Sequence, residues 1–296
     1  MSADAAAAGR ALGSPDRAAA VRGRLFHGLL LVSVTIGFVM LAVLLVDVVR
    51  RGIFFLDGTL LTEPSSTRSE RAGAGPAILG TIYLMALLLV MTVPIGVGTA
   101  LYLEEYANRE RWWNRALEVN IQNLAAVPSI VYGILGLAFI VRGPIGLGFV
   151  LLSGAMILTL LVLPILIVSA REAIRAVPDS VRQGAYALGA TQWQVIRRQV
   201  LPAAIPGIAT GSILALARAI GETAPLLLVG ALTYVPFNPE LFGRFTALPV
   251  QIYQWISRPQ DEFRDLAAAG IIVLLAILLT MNAFAIWLRN RYQKRW

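Results

Sequence analysis

The chain has 296 residues, 57% hydrophobic and 14% charged, with a mean hydropathy of +0.72. A soluble domain of that composition has too little polar sequence to cover its apolar surface, so lipid is the expected solvent. The net charge of +8 does not mark a nucleic-acid binder, because the basic residues flank apolar runs instead of forming a face or an arm; the absence of cysteine removes disulfides, thiolate metal sites and a cysteine nucleophile.

Residues 1–24 form an Ala- and Gly-rich tail carrying Arg10, Arg17, Arg22 and Arg24. The apolar stretch after it is too long for a signal-peptide core and lacks a clear small-x-small cleavage site, so the first span is expected to be retained. Six apolar segments, at 29–49, 78–103, 124–141, 145–168, 205–232 and 266–288, are each read as crossing a bilayer core of roughly 30 Å. The expected organisation is all-α and polytopic with six transmembrane helices. It comprises a tail over 1–24, a first span and external connection over 25–75, a core over 76–288 containing a loop at 169–204, and a second tail over 289–296. With the N-terminus inside, sixteen Arg and Lys residues fall on the cytoplasmic side and eight outside, which places both termini in the cytoplasm. Arg50 and Arg51 argue the other way and are partly offset by Asp47 and Asp57.

Pro94 with Gly96 and Gly98, Pro128 with Gly133 and Gly136, Pro164, and Pro225 recur inside the spans. Close packing through small residues and kinks lining a path both account for them. Glu104, Glu105 and Tyr106, then Arg109, Glu110 and Arg111, read as a solvated mixed-charge loop. Trp112, Trp113, Trp287 and Trp296 lie near span ends, where amphipathic rings favour the interface.

In the loop after the fourth span, Pro178 ends one helix, and Asp179 or Ser180 is expected to cap the next. Ala185, Leu188 and Gly189 fall together at helical spacing, and Trp193, Ile196 and Val200 carry an apolar face past a turn near Gly189, with Arg182, Arg197 and Arg198 pointing elsewhere. This predicts a small helix-turn-helix with an apolar knob, suited to a groove in another protein or to lipid headgroups.

Arg218 and Glu222, four apart inside the fifth apolar segment, are expected to share a helix face and pair. Such residues face a bundle interior or a water-filled path. A guanidinium offers a permanent charge and a planar fork for oxyanions, and a nearby carboxylate weakens that attraction enough for release; a purely structural ion pair fits the same spacing. His27 is the only histidine, so no two-histidine metal site or Ser-His relay forms, and Lys294 is the only lysine, so the chain has no Gly-Lys-Ser/Thr nucleotide loop.

The run Gln183-Gly184-Ala185-Tyr186-Ala187-Leu188-Gly189, nine residues, then Gln199-Val200-Leu201-Pro202 resembles the EAA loop of ABC importer permeases (Glu-Ala-Ala, three residues, Gly, nine residues, Ile-x-Leu-Pro). Gly189, Leu201 and Pro202 match, whereas Gln183, Gly184 and Gln199 depart from the pattern. Ala-Arg-Ala-Ile-Gly-Glu-Thr-Ala-Pro-Leu-Leu at 217–227, together with the stretches at 127–133 and 248–255, is similar to the A-type permeases of bacterial phosphate-uptake ABC transporters, over roughly residue 75 to the end.

The resemblance implies a type I importer permease in the cytoplasmic (inner) membrane, with no catalytic activity of its own. Its implied partners are a C-type phosphate permease, two copies of a cytoplasmic ABC ATPase, an external phosphate-binding protein, inorganic phosphate and membrane lipid, with no nucleic acid. No cofactor is implied for this chain, since ATP and Mg²⁺ belong to the ATPase. Gln183, Gly184, Ala185, Leu188, Gly189, Trp193, Leu201 and Pro202 are the implied ATPase contacts; contact with the ATPase is the minor alternative reading of the solvated loop around Glu104. Arg218 is implied as oxyanion contact or gate, Glu222 as its moderator and Thr223 as a hydroxyl donor. Other readings are a molybdate or sulfate importer, a membrane-embedded enzyme, and a non-transporting scaffold or sensor.

Overall fold

The computed structural model describes residues 17–108, 110–231 and 236–292. Residues 1–16 including Arg10, Arg109, Leu232 at the end of the fifth expected span, and Lys294, Arg295 and Trp296 lie outside the described residues. Every regular element among the described residues is helical. The chain divides into two compact units, Met1–Arg50 and Arg51–Trp296.

The described part of the first unit is one helix, α1 (Arg17–Gly52). Large apolar side chains such as Leu30, Phe38 and Met40 are exposed along it, the character of a helix solvated by lipid.

In the second unit, α2 (Gly58–Thr62) is capped by Asp57, whose carboxylate accepts the Leu60 N–H at 2.8 Å. It leads to α3 (Gly75–Leu101), which widens into a π-helical turn at Tyr102–Tyr106. Next come α4 (Trp112–Ala125), α5 (Ser129–Gly136) with a π-turn at Leu137–Val141, and α6 (Leu151–Arg175). α7 (Asp179–Ala187) and α8 (Gln192–Val195) form the loop, and a third π-turn at Ile196–Val200 opens into α9 (Leu201–Ile220). α10 (Ala224–Leu228), α11 (Leu248–Ile256) and α12 (Asp261–Tyr292) complete the chain.

Five helical runs among the described residues are long and apolar enough to cross a bilayer: Val21–Phe55, Gly75–Tyr106, Leu151–Arg175, Gln192–Ile220 and Asp261–Arg291. Two further apolar helices, Trp112–Ala125 and Ser129–Val141, are bent by 106° at the break between them, the geometry of a broken span or of a re-entrant loop. The expected third span at 124–141 is therefore not one helix. Pro128 has no N–H to continue the α4 ladder and sits at φ −56°, ψ 137°, outside the helical region. The expected fourth span starts later than residue 145, at Leu151, because Gly146 (φ 64°) and Gly148 (φ 80°) turn the chain back on the end of the preceding span, where Leu147 and Gly148 donate to the carbonyls of Ile140 and Val141. The fifth span ends as a continuous helix at Ile220.

α6 lies at the centre of the bundle: 67% of its most apolar stretch is buried, against 6% for that of α12. Leu84 and Leu88 of α3, Ile157, Leu158 and Leu166 of α6, Ala215 and Ala219 of α9 and Leu226 of α10 form one apolar cluster. Helices in lipid gain little from the hydrophobic effect on meeting one another, so close approach through small residues has to supply the packing. Gly207 and Gly211 of α9, four apart, lie against Ala173 and Ser169 of α6, also four apart; an added Cβ on either glycine would stand 2.5 Å from the neighbouring Cβ. Gly96 meets Leu166 in the same way, and Gly136 meets Ile157. These glycines are packing surfaces, whereas Pro128 is a true break.

Gly211→Ala forces α9 away from Ser169 and is expected to lower stability by about 1–3 kcal/mol, the usual cost of overpacking. Gly98→Ala, in the interior of α3 with nothing within 4 Å of the new methyl, is expected to leave stability unchanged or raised. Thermal unfolding of both variants in the same detergent checks the contrast.

Candidate functional site

At one end of the bundle, α6 stops at Arg175 and the chain enters the loop helices. Pro178 occupies the cap position of α7 and supplies no side-chain cap. The expected cap by Asp179 or Ser180 is not what forms. Asp179 is the first helical residue, and its carboxylate takes the Arg182 guanidinium at 3.1 Å. α7 closes at Leu188 and is followed by Gly189 at φ +80°, a conformation that L side chains adopt only with strain, with the Gly189 N–H donating to the Tyr186 carbonyl at 2.9 Å. Thr191 and Gln194 then form a reciprocal capping box that starts α8. Thr-x-x-Gln is the local signal for this cap, one that apolar periodicity does not register.

The expected apolar face is divided within the segment after the turn, where a π-turn begins at Ile196. Val195, Ile196 and Val200 are buried, Val195 and Val200 packing with Ala170, Ile174 and Val177, so Ile196 and Val200 do not share a face with Trp193. Leu188 is 90% and Trp193 57% exposed. An open groove of about 300 Å³ runs beside Leu188, lined by Val181, Ala185, Ala190, Gln194 and Arg198. Gln183, Gly184 and Pro202 are exposed, and Leu201 is half-buried against the buried cluster.

Only part of the solvated mixed-charge loop expected from the sequence forms: Tyr106, Glu110 and Arg111 are exposed, but the two carboxylates before them are not. Glu104 and Glu105, in the π-turn that ends α3, have side chains only 4% and 8% exposed. Glu104 accepts from Arg171 Nε at 2.8 Å and from Arg175 at 2.9 Å, while Arg171 also reaches Glu118 of α4 at 2.8 Å. Arg182 is likewise turned inward, to Glu105 at 3.2 Å and to the carbonyls of Ile174 and Val177. The Gln192 amide donates to the Glu105 carbonyl. Adjacent acidic residues two and three positions before a loop read as surface in one dimension, and only the fold reveals that three arginines from 171–182 converge on them.

The second feature lies towards the opposite end of α9. Pro225 cannot donate to the Gly221 carbonyl and its ring excludes helix there, so α9 ends at Ile220, three residues intervene, and α10 begins at Ala224. Arg218 is thus in the last turn of a helix, not in the middle of one, and Glu222 lies beyond its end. The pair still forms, at 3.6 Å between Arg218 Nε and Glu222 Oε1, held by the turn in which the Glu222 N–H donates to the Ala219 carbonyl. The Arg218 side chain remains 44% exposed and that of Glu222 16%. The Thr223 hydroxyl faces the Gly221 carbonyl at 3.5 Å. Behind the break, Pro225 sits against Gly133 of α5, where a Cβ would stand 2.7 Å from the Pro225 Cα, and the Tyr132 hydroxyl donates to the Leu124 carbonyl at 2.9 Å across the α4–α5 bend. The stretches at 127–133 and 217–227 therefore pack together, whereas the stretch at 248–255 forms α11, which packs on α12 and α3 with the Leu248 N–H bonded to Thr81.

Residues 92–296 match the family described as binding-protein-dependent transport system inner membrane component. The phosphate transport system permease protein PstA of Haemophilus influenzae is 33% identical over 261 residues, covering 88% of this chain and 91% of that protein. The probable ABC transporter permease protein YqgI of Bacillus subtilis is 30% identical over 263 residues, 84% of this chain and 88% of the relative. A chain in the crystal structure of a bacterial alginate ABC transporter, in complex with alginate pentasaccharide-bound periplasmic protein, shares the fold with a TM-score of 0.69 at 17% identity, over 92% of this chain and 96% of that one.

Gly189→Ala adds a methyl that meets nothing within 4 Å, so its effect isolates the backbone conformation. It is expected to destabilise the α7–α8 turn by about 1–2 kcal/mol, seen as faster amide hydrogen exchange at Ala190 and Thr191 than in the parent protein.

Proposed function

The chain belongs to the family of binding-protein-dependent transport system inner membrane components, and on that basis we propose that it is the A-type permease subunit of an ATP-driven importer of inorganic phosphate. It lines half of a translocation path whose other half comes from a C-type permease. An external binding protein delivers phosphate, and two copies of a separate ATPase drive the cycle. The loop end of the bundle faces the cytoplasm, in keeping with the arginines gathered there.

The observation that carries the substrate assignment is the half-exposed Arg218 head at a helix break, paired at 3.6 Å with a single carboxylate. Non-helical backbone at membrane depth is tolerated where it is buried in protein or lines a water-filled cavity. A guanidinium there presents a charged planar fork to tetrahedral oxyanions. Glu222 competes for the same donors, so the anion is attracted but not trapped, and Thr223 adds a hydroxyl within the same turn. The relatives named for phosphate transport agree with phosphate as that anion.

Docking of the ATPase falls to the exposed Leu188 and Trp193 and the groove beside them, the pattern of an apolar anchor on a rigid turn. Gln183 and Gly184 flank that surface on α7, while Leu201 and Pro202 start the helix that carries the signal towards Arg218. A nucleotide loop needs Gly-Lys-Ser/Thr, and Lys294 is the only lysine, so hydrolysis of Mg²⁺-ATP belongs to the partner.

In proteoliposomes containing the four-component transporter, Arg218→Leu is expected to reduce ATP-dependent uptake of radiolabelled phosphate about ten- to a hundredfold, the equivalent of one charged hydrogen bond of about 1.5–3 kcal/mol, with the complex still assembled. Arg218→Lys, which keeps charge without the fork, falls in between. Uptake that sulfate or molybdate suppresses at lower concentration than phosphate itself would reassign the substrate. Leu188→Asp is expected to weaken retention of the ATPase on the purified permease by about 2 kcal/mol or more, roughly thirtyfold, as removal of a central apolar anchor does.

A further inference from the structure

Within the transport reading above, we infer that Glu105 and Arg182 are positioning residues that anchor the coupling loop to α3, so that displacement of the loop moves that span directly. The loop is covalently continuous with α6 and α9 only; nothing in the chain order ties it to α3. The tie is made by side chains. Glu105 ends α3, and its carboxylate takes the Arg182 guanidinium of α7 at 3.2 and 3.4 Å. Its backbone carbonyl takes the Gln192 amide of α8.

Arg182 does more than pair. It donates to the carbonyls of Ile174, in the last turn of α6, which also accepts the Val177 N–H, and of Val177, just beyond the end of α6. One guanidinium therefore joins α3, α6 and α7. Its side chain is 16% exposed and that of Glu105 8%, so the pair is shielded from the solvent screening that makes surface ion pairs weak. Glu104, one position earlier, binds Arg171 and Arg175 of α6, and Arg171 binds Glu118 of α4. That second set holds α3, α4 and α6 to one another and involves no residue of α7 or α8. The two adjacent carboxylates thus divide the work: Glu104 fixes the helices of the bundle, and Glu105 fixes the loop to them.

The geometry has a mechanical consequence. α3 packs along α6 through Gly96 against Leu166 and carries Pro94 inside its helix. A load applied at Leu188 and Trp193 reaches α3 through Arg182 and Gln192 without passing along the length of α6 or α9. Loss of the ion pair leaves the ATPase surface of the loop in place but removes its charged tie to α3, so that only the Gln192 bond and the apolar packing of Val195 with Ala100 remain.

The test uses the assembled transporter in proteoliposomes, with phosphate moved and ATP hydrolysed measured in the same vesicles. For Arg182→Gln the expected result is ATP hydrolysis within twofold of the parent complex and phosphate moved per ATP reduced at least tenfold. An unchanged ratio overturns the anchor. The chain contains no cysteine, so the double variant Glu105→Cys with Arg182→Cys allows the tie to be remade by a short cleavable bis-thiol crosslinker. The ratio is expected to be low before crosslinking, to recover when the crosslink forms, and to fall again on cleavage. A verified crosslink that restores nothing overturns the anchor in favour of a merely structural pair, since a folding defect would not reverse with the linker. A parent complex that moves a different anion would overturn the phosphate reading alone, and the same ratio taken with that anion would still decide the anchor.

Discussion

Gly207 and Gly211 allow α9 to lie against Ala173 and Ser169 of α6, and the position of everything chemically interesting in the chain follows from that contact. α9 begins in the loop and ends at Arg218. With its near end locked on α6 by small residues, the α7–α8 turn is held at one end of the bundle and the Arg218–Glu222 pair near the other. Two larger side chains at 207 and 211 would separate the backbones, and in lipid no hydrophobic gain would draw the helices back together.

The breaks in the spans obey the same economy of backbone groups. A helix crossing lipid satisfies its own N–H and C=O groups, so each interruption must be buried or must line polar space. At Pro128, itself exposed, the freed backbone is met within the chain: the Tyr132 hydroxyl donates back to the Leu124 carbonyl. At Gly221 to Thr223 it follows the half-exposed guanidinium of Arg218, in the last turn of α9. Pro225 forces this second break and then packs on Gly133, so a single residue both ends α9 and seats the short helix behind the pair.

At the loop end the constraint is electrostatic. Arg171 is buried, and a buried guanidinium is tolerable only with its donors satisfied by charges or carbonyls. Glu104 and Glu118 meet that need, just as Glu105 and two helix-end carbonyls do for Arg182. The π-turn at Tyr102–Tyr106 places Glu104 and Glu105 so that neighbouring residues serve different helices. Since a buried pair with one member removed is costly while the intact pair gains little net stability, such a network is better understood as fixing geometry than as adding to the strength of the fold.

How much of this was legible in one dimension depends on the range of the interaction. Apolar run length reports membrane crossing directly, because the bilayer acts on each segment separately; the five long apolar helices, the Gly189 turn and the Leu-Pro start of α9 are all local features. Proline chemistry is local too, yet Pro128 and Pro225 were read only as disturbances within spans, since whether proline kinks or ends a helix depends on what receives the freed carbonyls. The inward face of Ile196 and Val200, the burial of Glu104 and Glu105, and the junction made by Arg182 could not be read in the same way. Each depends on partners far away in the sequence, 77 positions in the case of Arg182 and Glu105. The sequence by itself determined which segments enter lipid and which residues carry charge there. Only the tertiary structure decided which charges meet, because a salt bridge is set by distances of a few ångströms that helix packing, and not chain order, brings about.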